Sequence, residues 1–530
     1  MVQRVAVIGA GPSGVTSIKG CLDEGLEPTC FESSDDIGGL WRFKEKPEPG
    51  RANIYKSVII NSSKEMMSFS DFPPPVDLPN NMHHSEVLLY LRLYAQTFNL
   101  LPRIRFQTTV ISVRQTTNFE VTGQWEVETE SREGQRETRV FDAVMVCNGH
   151  FTQPHLPLRD FPGIESFRAK YFHNWEYCSA EGLEEKRVVV IGIGNSGGDI
   201  AVDVSRVAEK VSCCATFLYF YVVFKKNSDV YEYESTLFPS WTNTMLEKKL
   251  NQALDHKLYG LKPKHGFFAQ IPVVNDDLPA RIISGRVAVK PNVGEFCGST
   301  VVWSLLMEVD VVVSATGYNY SFPFLPSALQ AKCGYRLQLY KHVFPPALTS
   351  PTLAVVGFIR GFGAINPLAE MQACWATRVF KGLTALLTEE NMMKEIEKDT
   401  ATMFACSERN PLEVHYIPYM DSLSEEVGVR PNIPWGFLGP CTPYQYRLTG
   451  PGKWAGARQA ILTQWDRVFQ PFKTRVVTEP KPDIKHSSKL SIIMFLSGAA
   501  LLCCIFYNKL HFVSYFSASS FQRSLQLIAG

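Results

Sequence analysis

Short, uninterrupted apolar runs, not long alternations, mark out this chain. Val5 to Ile8 is one. Val188 to Ile191 is its near-copy, and each is preceded by an arginine, Arg4 and Arg187. Phe141-Asp-Ala-Val-Met-Val-Cys-Asn-Gly149 and Asp310-Val-Val-Val-Ser-Ala-Thr-Gly-Tyr318 form a second pair, each an apolar strand pattern ending at a glycine. Pro351-Thr-Leu-Ala-Val-Val-Gly357 is a further run of the same kind. Continuous rather than alternating apolar strands are covered on both faces, which predicts parallel sheets inside an α/β fold.

The residues after the two arginine-led runs sharpen this. Both runs continue into G-x-G-x-x-G and then a helix-compatible stretch: Gly9-Ala-Gly11-Pro-Ser-Gly14, and Gly192-Ile-Gly194-Asn195-Ser196-Gly197. One such match is weak, but two, each directly after a buried strand, predict two dinucleotide-binding units. In each, the first glycine allows the tight turn. The second lets a pyrophosphate approach the backbone, and the third lets helix pack on strand. The helix N-terminus then offers free N–H groups to the phosphates.

The second strand separates the two units. Glu27-Pro-Thr-Cys-Phe-Glu32 ends on an acid, at about the spacing (~20 residues on) of a carboxylate that binds ribose hydroxyls. Lys210-Val-Ser-Cys-Cys-Ala-Thr216 ends without one, which favours a 2′-phosphate and hence NADP over NAD. Lys225 and Lys226 are the nearest cations for that phosphate.

The predicted architecture is α/β with two Rossmann-like domains. The first, 1–155, is interrupted by the second, 156–330. It resumes in a return and C-terminal region, 331–478. A polar linker, 479–489, precedes an uncharged apolar run from Leu490 to Tyr507, bounded by Lys489 and Lys509, and a short tail to 530. The run is close to the ~20 residues that cross a bilayer core. It predicts a single C-terminal membrane anchor, with the body on the cytosolic side and no signal peptide ahead of it.

Bulk properties narrow the function by exclusion. The 53 basic and 52 acidic residues leave a net charge of +1, with no electrostatic footprint for nucleic acid. The 13 cysteines show neither zinc spacing nor a disulfide framework, so no metal site is expected.

With these features the chain resembles the animal flavin-containing monooxygenases, membrane-anchored and microsomal, over nearly its whole length. The resemblance rests on Glu24 to Phe43, on INSSKEMMSFSDFP from Ile60, on Gly192 to Val202, on SATGY at Ser314 and on the stretch from Gly450 to Arg467. It implies FAD in the first domain and NADP(H) in the second. It implies that reduced flavin takes up dioxygen as a C4a-hydroperoxide, which small lipophilic amines or sulfides then attack. It places Asn61 beside the flavin as the catalytic amide, and Gly38, Gly39, Leu40 and Trp41 in a second flavin-contacting loop. The family fingerprint falls on Phe167, Ala169, His173 and Tyr177, with alanine where the pattern has glycine. It also implies the endoplasmic reticulum membrane and xenobiotic substrates; a homodimer is left open.

Besides Ala169 and the tail that continues beyond the apolar run, the chain departs from that pattern at three further places. FLYFYVVFKK follows Thr216, Cys374 stands where the pattern has arginine, and residues 433–439 are shorter than the family's. Three other readings stay open. Oxygenation of carbonyls uses the same adduct, and a flavoprotein that no longer turns over would keep the fold. A flavin disulfide reductase shares the architecture but needs a cysteine pair that Gly38 to Arg51 lacks.

Overall fold

A computed structural model describes residues 2–214, 222–223, 239–263, 265–267, 270–303, 306–327, 329, 338–406, 412–431 and 442–473. The linker, the apolar run at 490–507, the tail, Lys225, Lys226 and the short segment 433–439 lie outside the described residues. Among the described residues no helix is long and apolar enough to cross a membrane. Residues Met1–Pro471 form one compact unit, and a second begins at Phe472.

Two five-stranded sheets organise the compact unit. In the first, the strand order is Leu353–Val355, Ala143–Val146, Arg4–Ile8, Glu27–Phe31, Ile104–Arg105, and every pairing is parallel. In the second the order is Val287–Lys290, Lys210–Cys214, Arg187–Ile191, Val311–Ser314, Lys170–His173, again all parallel. The strands of the second sheet all fall between those of the first in sequence. The apolar runs are buried on both faces: Val5, Ala6 and Val7 and their counterparts Val188, Val189 and Val190 are essentially inaccessible. Their side chains divide between separate clusters, Val5 and Val7 in one and Ala6 and Ile8 in another. This is the period-2 alternation of a sheet packed from both sides.

Each first strand runs into a helix, Pro12–Asp23 and Asn195–Val204. The first helix lies against Asn366–Phe380, where a Cβ on Gly20 would sit 3.6 Å from the Ala373 carbonyl oxygen. An antiparallel meander, Thr108–Gln115, Trp125–Ser131 and Arg136–Phe141, stands apart from both sheets. Continuous apolar runs do not mark it. Its signal is alternation: Trp125, Val127 and Thr129 are buried and Glu126 is exposed. The second strand of the second sheet is described over Lys210–Cys214, and residues 215 and 216 lie outside the described residues.

Candidate active site

The glycine motifs set the local geometry. Gly9 and Gly192 have φ of +99° and +100°, a region L side chains avoid, and a Cβ on either would press into the carbonyl oxygen of Cys147 or Ala315. A Cβ on Gly14 would lie 1.8 Å from the Gly9 oxygen, and one on Gly197 2.0 Å from that of Gly192. These four glycines are therefore demanded by the fold itself.

The middle glycines are different. Gly11 and Gly194 begin their helices with ordinary negative φ, −72° and −68°, and neither helix start has a side-chain cap. A Cβ on Gly194 would meet nothing within 4 Å, and one on Gly11 nothing closer than 3.6 Å. The protein's own packing gives no reason for glycine at either place. Uncapped N–H groups beside open space are an anion-binding arrangement.

Both helix starts open into one cavity of about 990 Å³. Gly9, Gly11, Pro12 and Ser13 line it from the first motif, and Asn195 and Asp199 from the second helix. Of the other predicted site residues, Glu32, Gly39, Leu40, Trp41 and Asn61 are also on its wall. Gly14, Gly38, Gly192, Gly194, Ser196 and Gly197 stand behind that wall. Gly14, Gly192 and Gly197 act through packing. Gly38, at φ +111°, turns the chain so that Gly39 comes against Gly11.

Glu32 stands just past its strand. Its Oε2 accepts from the Ala10 amide at 2.7 Å. Its Oε1 accepts from the Ser34 amide and hydroxyl, both at 2.8 Å, and from Arg51 Nη1 at 3.1 Å. Sequence reasoning missed Arg51, because nothing in Pro49-Gly50-Arg51 announces a partner for an acid so far upstream. The carboxylate is thus held rigidly at the mouth of the first motif.

Asn195 is also tied down. Its Oδ1 accepts from the Val274 amide at 2.8 Å. Beside it, Asp199 accepts from the Tyr55 hydroxyl at 2.7 Å, joining the second motif's helix to the segment just ahead of Asn61.

Two histidines resolve in opposite ways. His173 Nδ1 accepts from the Trp175 amide at 3.0 Å, and Nε2 donates to the Gly317 carbonyl at 2.9 Å. Burial holds its pKa down to about 4, so it is a neutral structural cap. His150 lines the cavity wall, and neither of its ring nitrogens has a hydrogen-bond partner. Burial first, then the Arg360 charge, pushes it down to about 3, so it too is neutral.

The model of one protein family, flavin-binding monooxygenase-like, matches residues 2–509. The chain belongs to that family. Flavin-containing monooxygenase 5 of Rattus norvegicus is 50% identical over 95% of this chain and 99% of its own length. Dimethylaniline monooxygenase [N-oxide-forming] 2 of the same animal is 45% identical, over 96% of this chain and 100% of its own length. Among solved structures, S-allyl-L-cysteine S-oxygenase from Allium sativum shares 26% identity at a TM-score of 0.62, over 81% of this chain and 89% of that one.

This flavin-binding monooxygenase is an enzyme, and beside Cys374 it carries a buried arginine. Arg447 Nη2 lies 3.8 Å from Cys374 Sγ and 3.0 Å from Glu370 Oε1. Burial, with Arg447 opposing it, raises the thiol to about 11. A cation therefore reaches this buried acid from a different part of the monooxygenase chain.

Proposed function

We propose that the chain is an FAD- and NADPH-dependent monooxygenase of soft nitrogen and sulfur nucleophiles. The observation that carries this is the pair of middle glycines, Gly11 and Gly194, which the packing does not require, at two uncapped helix starts that open into one cavity. FAD would lie on Gly9, Gly11 and the start of Pro12–Asp23, with Glu32 on its ribose and Gly39, Leu40, Trp41 and Asn61 along its flavin half. NADP(H) would lie on the start of Asn195–Val204. The two units so assigned meet near residues 155 and 330. A shared cavity is what hydride transfer between two dinucleotides needs, since the reacting atoms must come within about 3–3.5 Å.

The overall reaction balances as substrate, O2, NADPH and H⁺ giving oxygenated substrate, NADP⁺ and water. FAD when bound supplies the two-electron and oxygen chemistry. The protein's part is binding, orientation and exclusion of water. Phe267, Ile271, Val274 and Phe362 give the cavity an apolar lining, which suits a lipophilic amine or sulfide.

The test is spectroscopic and chemical. NADPH is expected to bleach the flavin faster than NADH, because Lys210–Cys214 carries no acid at its end to repel a 2′-phosphate. Replacing Lys225 and Lys226 with alanine is expected to narrow that preference. Equal reduction rates in the parent protein sink the NADP assignment. An aerobic assay with a tertiary amine, a thioether and a ketone then reads which product forms; none with any of the three removes the monooxygenase reading.

The proposed location is the endoplasmic reticulum membrane, with the run at 490–507 as a single-pass anchor and the body in the cytosol. Support comes from the last described helix, Gln464–Lys473. There Trp465 and Phe469 stack at 6.0 Å and are 51% and 44% exposed, next to Leu462 at 68%. An apolar face with exposed tryptophan suits a headgroup layer. Truncation after Lys485 is expected to move the protein from pellet to supernatant with its flavin intact. A truncated protein that still sediments with membranes would place the attachment in the body.

A further inference from the structure

Asn61 belongs to a loop that is held from an unexpected direction. Four residues on, Glu65 is 3% exposed and carries the only negative charge in the INSSKEM stretch. Its carboxylate receives a two-pronged contact from Arg467: Nε to Oε1 at 2.9 Å and Nη2 to Oε2 at 2.7 Å. The Tyr444 hydroxyl adds a third bond to Oε2 at 3.1 Å. Arg467 is itself fixed by the Thr463 hydroxyl at 2.7 Å and the Ala460 carbonyl at 2.7 Å. A guanidinium fork satisfied at every nitrogen is a rigid strut, since its planar geometry matches the carboxylate in one orientation.

The same helix reaches Asn61 by a second path. Asn80 Nδ2 donates to the Val468 carbonyl at 2.9 Å, and the Lys64 amide donates to the Asn80 carbonyl at 2.6 Å. The neighbouring Asn81 donates to the carbonyls of Ile60 and Ser62, at 3.3 and 3.1 Å, on either side of Asn61. The backbone that presents Asn61 to the cavity is therefore bracketed by bonds leading back to residues 467 and 468.

We infer that Arg467, acting through Glu65, is a positioning residue for oxygenation: it sets where the Asn61 loop meets the cavity. This rests on the proposed flavin-side role of Asn61 and adds that the helix Gln464–Lys473, far away in sequence, decides its placement. Displacing a catalytic group by ~1 Å can cost on the order of a hundredfold. Flavin binding and hydride uptake draw on the glycine motifs instead and stand outside this linkage.

The experiment compares Arg467→Lys, Arg467→Met and the double variant Glu65→Gln/Arg467→Met with the parent, all as flavin-loaded full-length protein. Lysine keeps the charge and loses the fork. The double variant removes both charges, so neither is left buried alone, and it regains the thermal stability that Arg467→Met loses. The expected result is parental flavin content and parental reduction by NADPH in Arg467→Lys and the double variant. Their product formed per NADPH falls about tenfold or more, and hydrogen peroxide rises to match. A purely structural pair would restore that yield together with stability in the double variant. That result, or parental yield in Arg467→Lys, overturns the inference. Failure of the double variant to regain stability or flavin also overturns it, because Arg467 would then be needed by the fold as a whole. Asn61→Asp measured alongside separates the two levels. If it keeps parental yield, the reading of Asn61 falls; if it is impaired while the Arg467 variants are not, only the present inference falls.

Discussion

Gly11→Val purifies as a folded, colourless protein: that is the expected result of placing a branched side chain at the first motif's open position. Gly11 has φ −72°, which valine adopts without strain, and the nearest atom to a new Cβ is the Gly39 Cα at 3.6 Å. The apoprotein should therefore tolerate the change. The loss falls on what approaches the backbone there, since overpacking a close contact costs about 1–3 kcal/mol or more, roughly a ten- to hundredfold loss of affinity. Gly14→Ala is the contrasting control. Its Cβ would lie 1.8 Å from the Gly9 carbonyl oxygen, so helix and strand cannot both keep their places and the fold itself should suffer. Absorbance at the flavin bands and the melting temperature of the apoprotein separate the two. Full flavin content in Gly11→Val would show that no pyrophosphate comes near the first helix start.

The second large effect is expected at Asn61. A neutral amide there can donate or accept a hydrogen bond, and it does not titrate near neutral pH. Aspartate in its place puts a negative charge against an electron-rich cofactor in a largely apolar cavity. Asn61→Asp is expected to bind FAD and to be reduced by NADPH, because neither glycine motif is touched. Oxygenated product should fall about a hundredfold, the ~3 kcal/mol commonly lost with one preorganised donor. The reducing equivalents should then appear as hydrogen peroxide. Reduction rate, peroxide and product are measured separately. Product at the parent rate would make Asn61 a loop residue and remove the catalytic reading of this stretch.

Gly11 lies in a motif visible in the chain itself, for a physical reason, whereas Asn61 was indicated only by the family resemblance. A sheet covered on both faces needs uninterrupted apolar strands, so Val5 to Ile8 and Val188 to Ile191 could be recognised without knowing their partners. Turning from strand to helix within a few residues needs φ near +100°, so Gly9 and Gly192 are forced, and Gly14 and Gly197 with them. These are local requirements, and local requirements leave a spacing. Glu32 was legible for the same reason, since the next strand brings it back beside the turn it serves.

Tertiary decisions arise between segments distant in sequence. Arg51 meets Glu32, Arg467 and Tyr444 meet Glu65, and Arg447 meets Glu370 and Ser70, the last two across separations of 77 and 377 residues. A buried charge has to find an opposite charge or a set of dipoles, but which one depends on how the layers stack, and no periodicity records that. The same holds for His173 and His150. Each is a histidine after a short apolar stretch, yet one has both nitrogens bonded and the other has neither. Strands, turns and the two nucleotide motifs were determined by the sequence alone because their geometry is local. The single cavity they share, and the side chains that hold Asn61 against it, were decided only by tertiary packing, because burial makes polar groups choose partners by proximity in space.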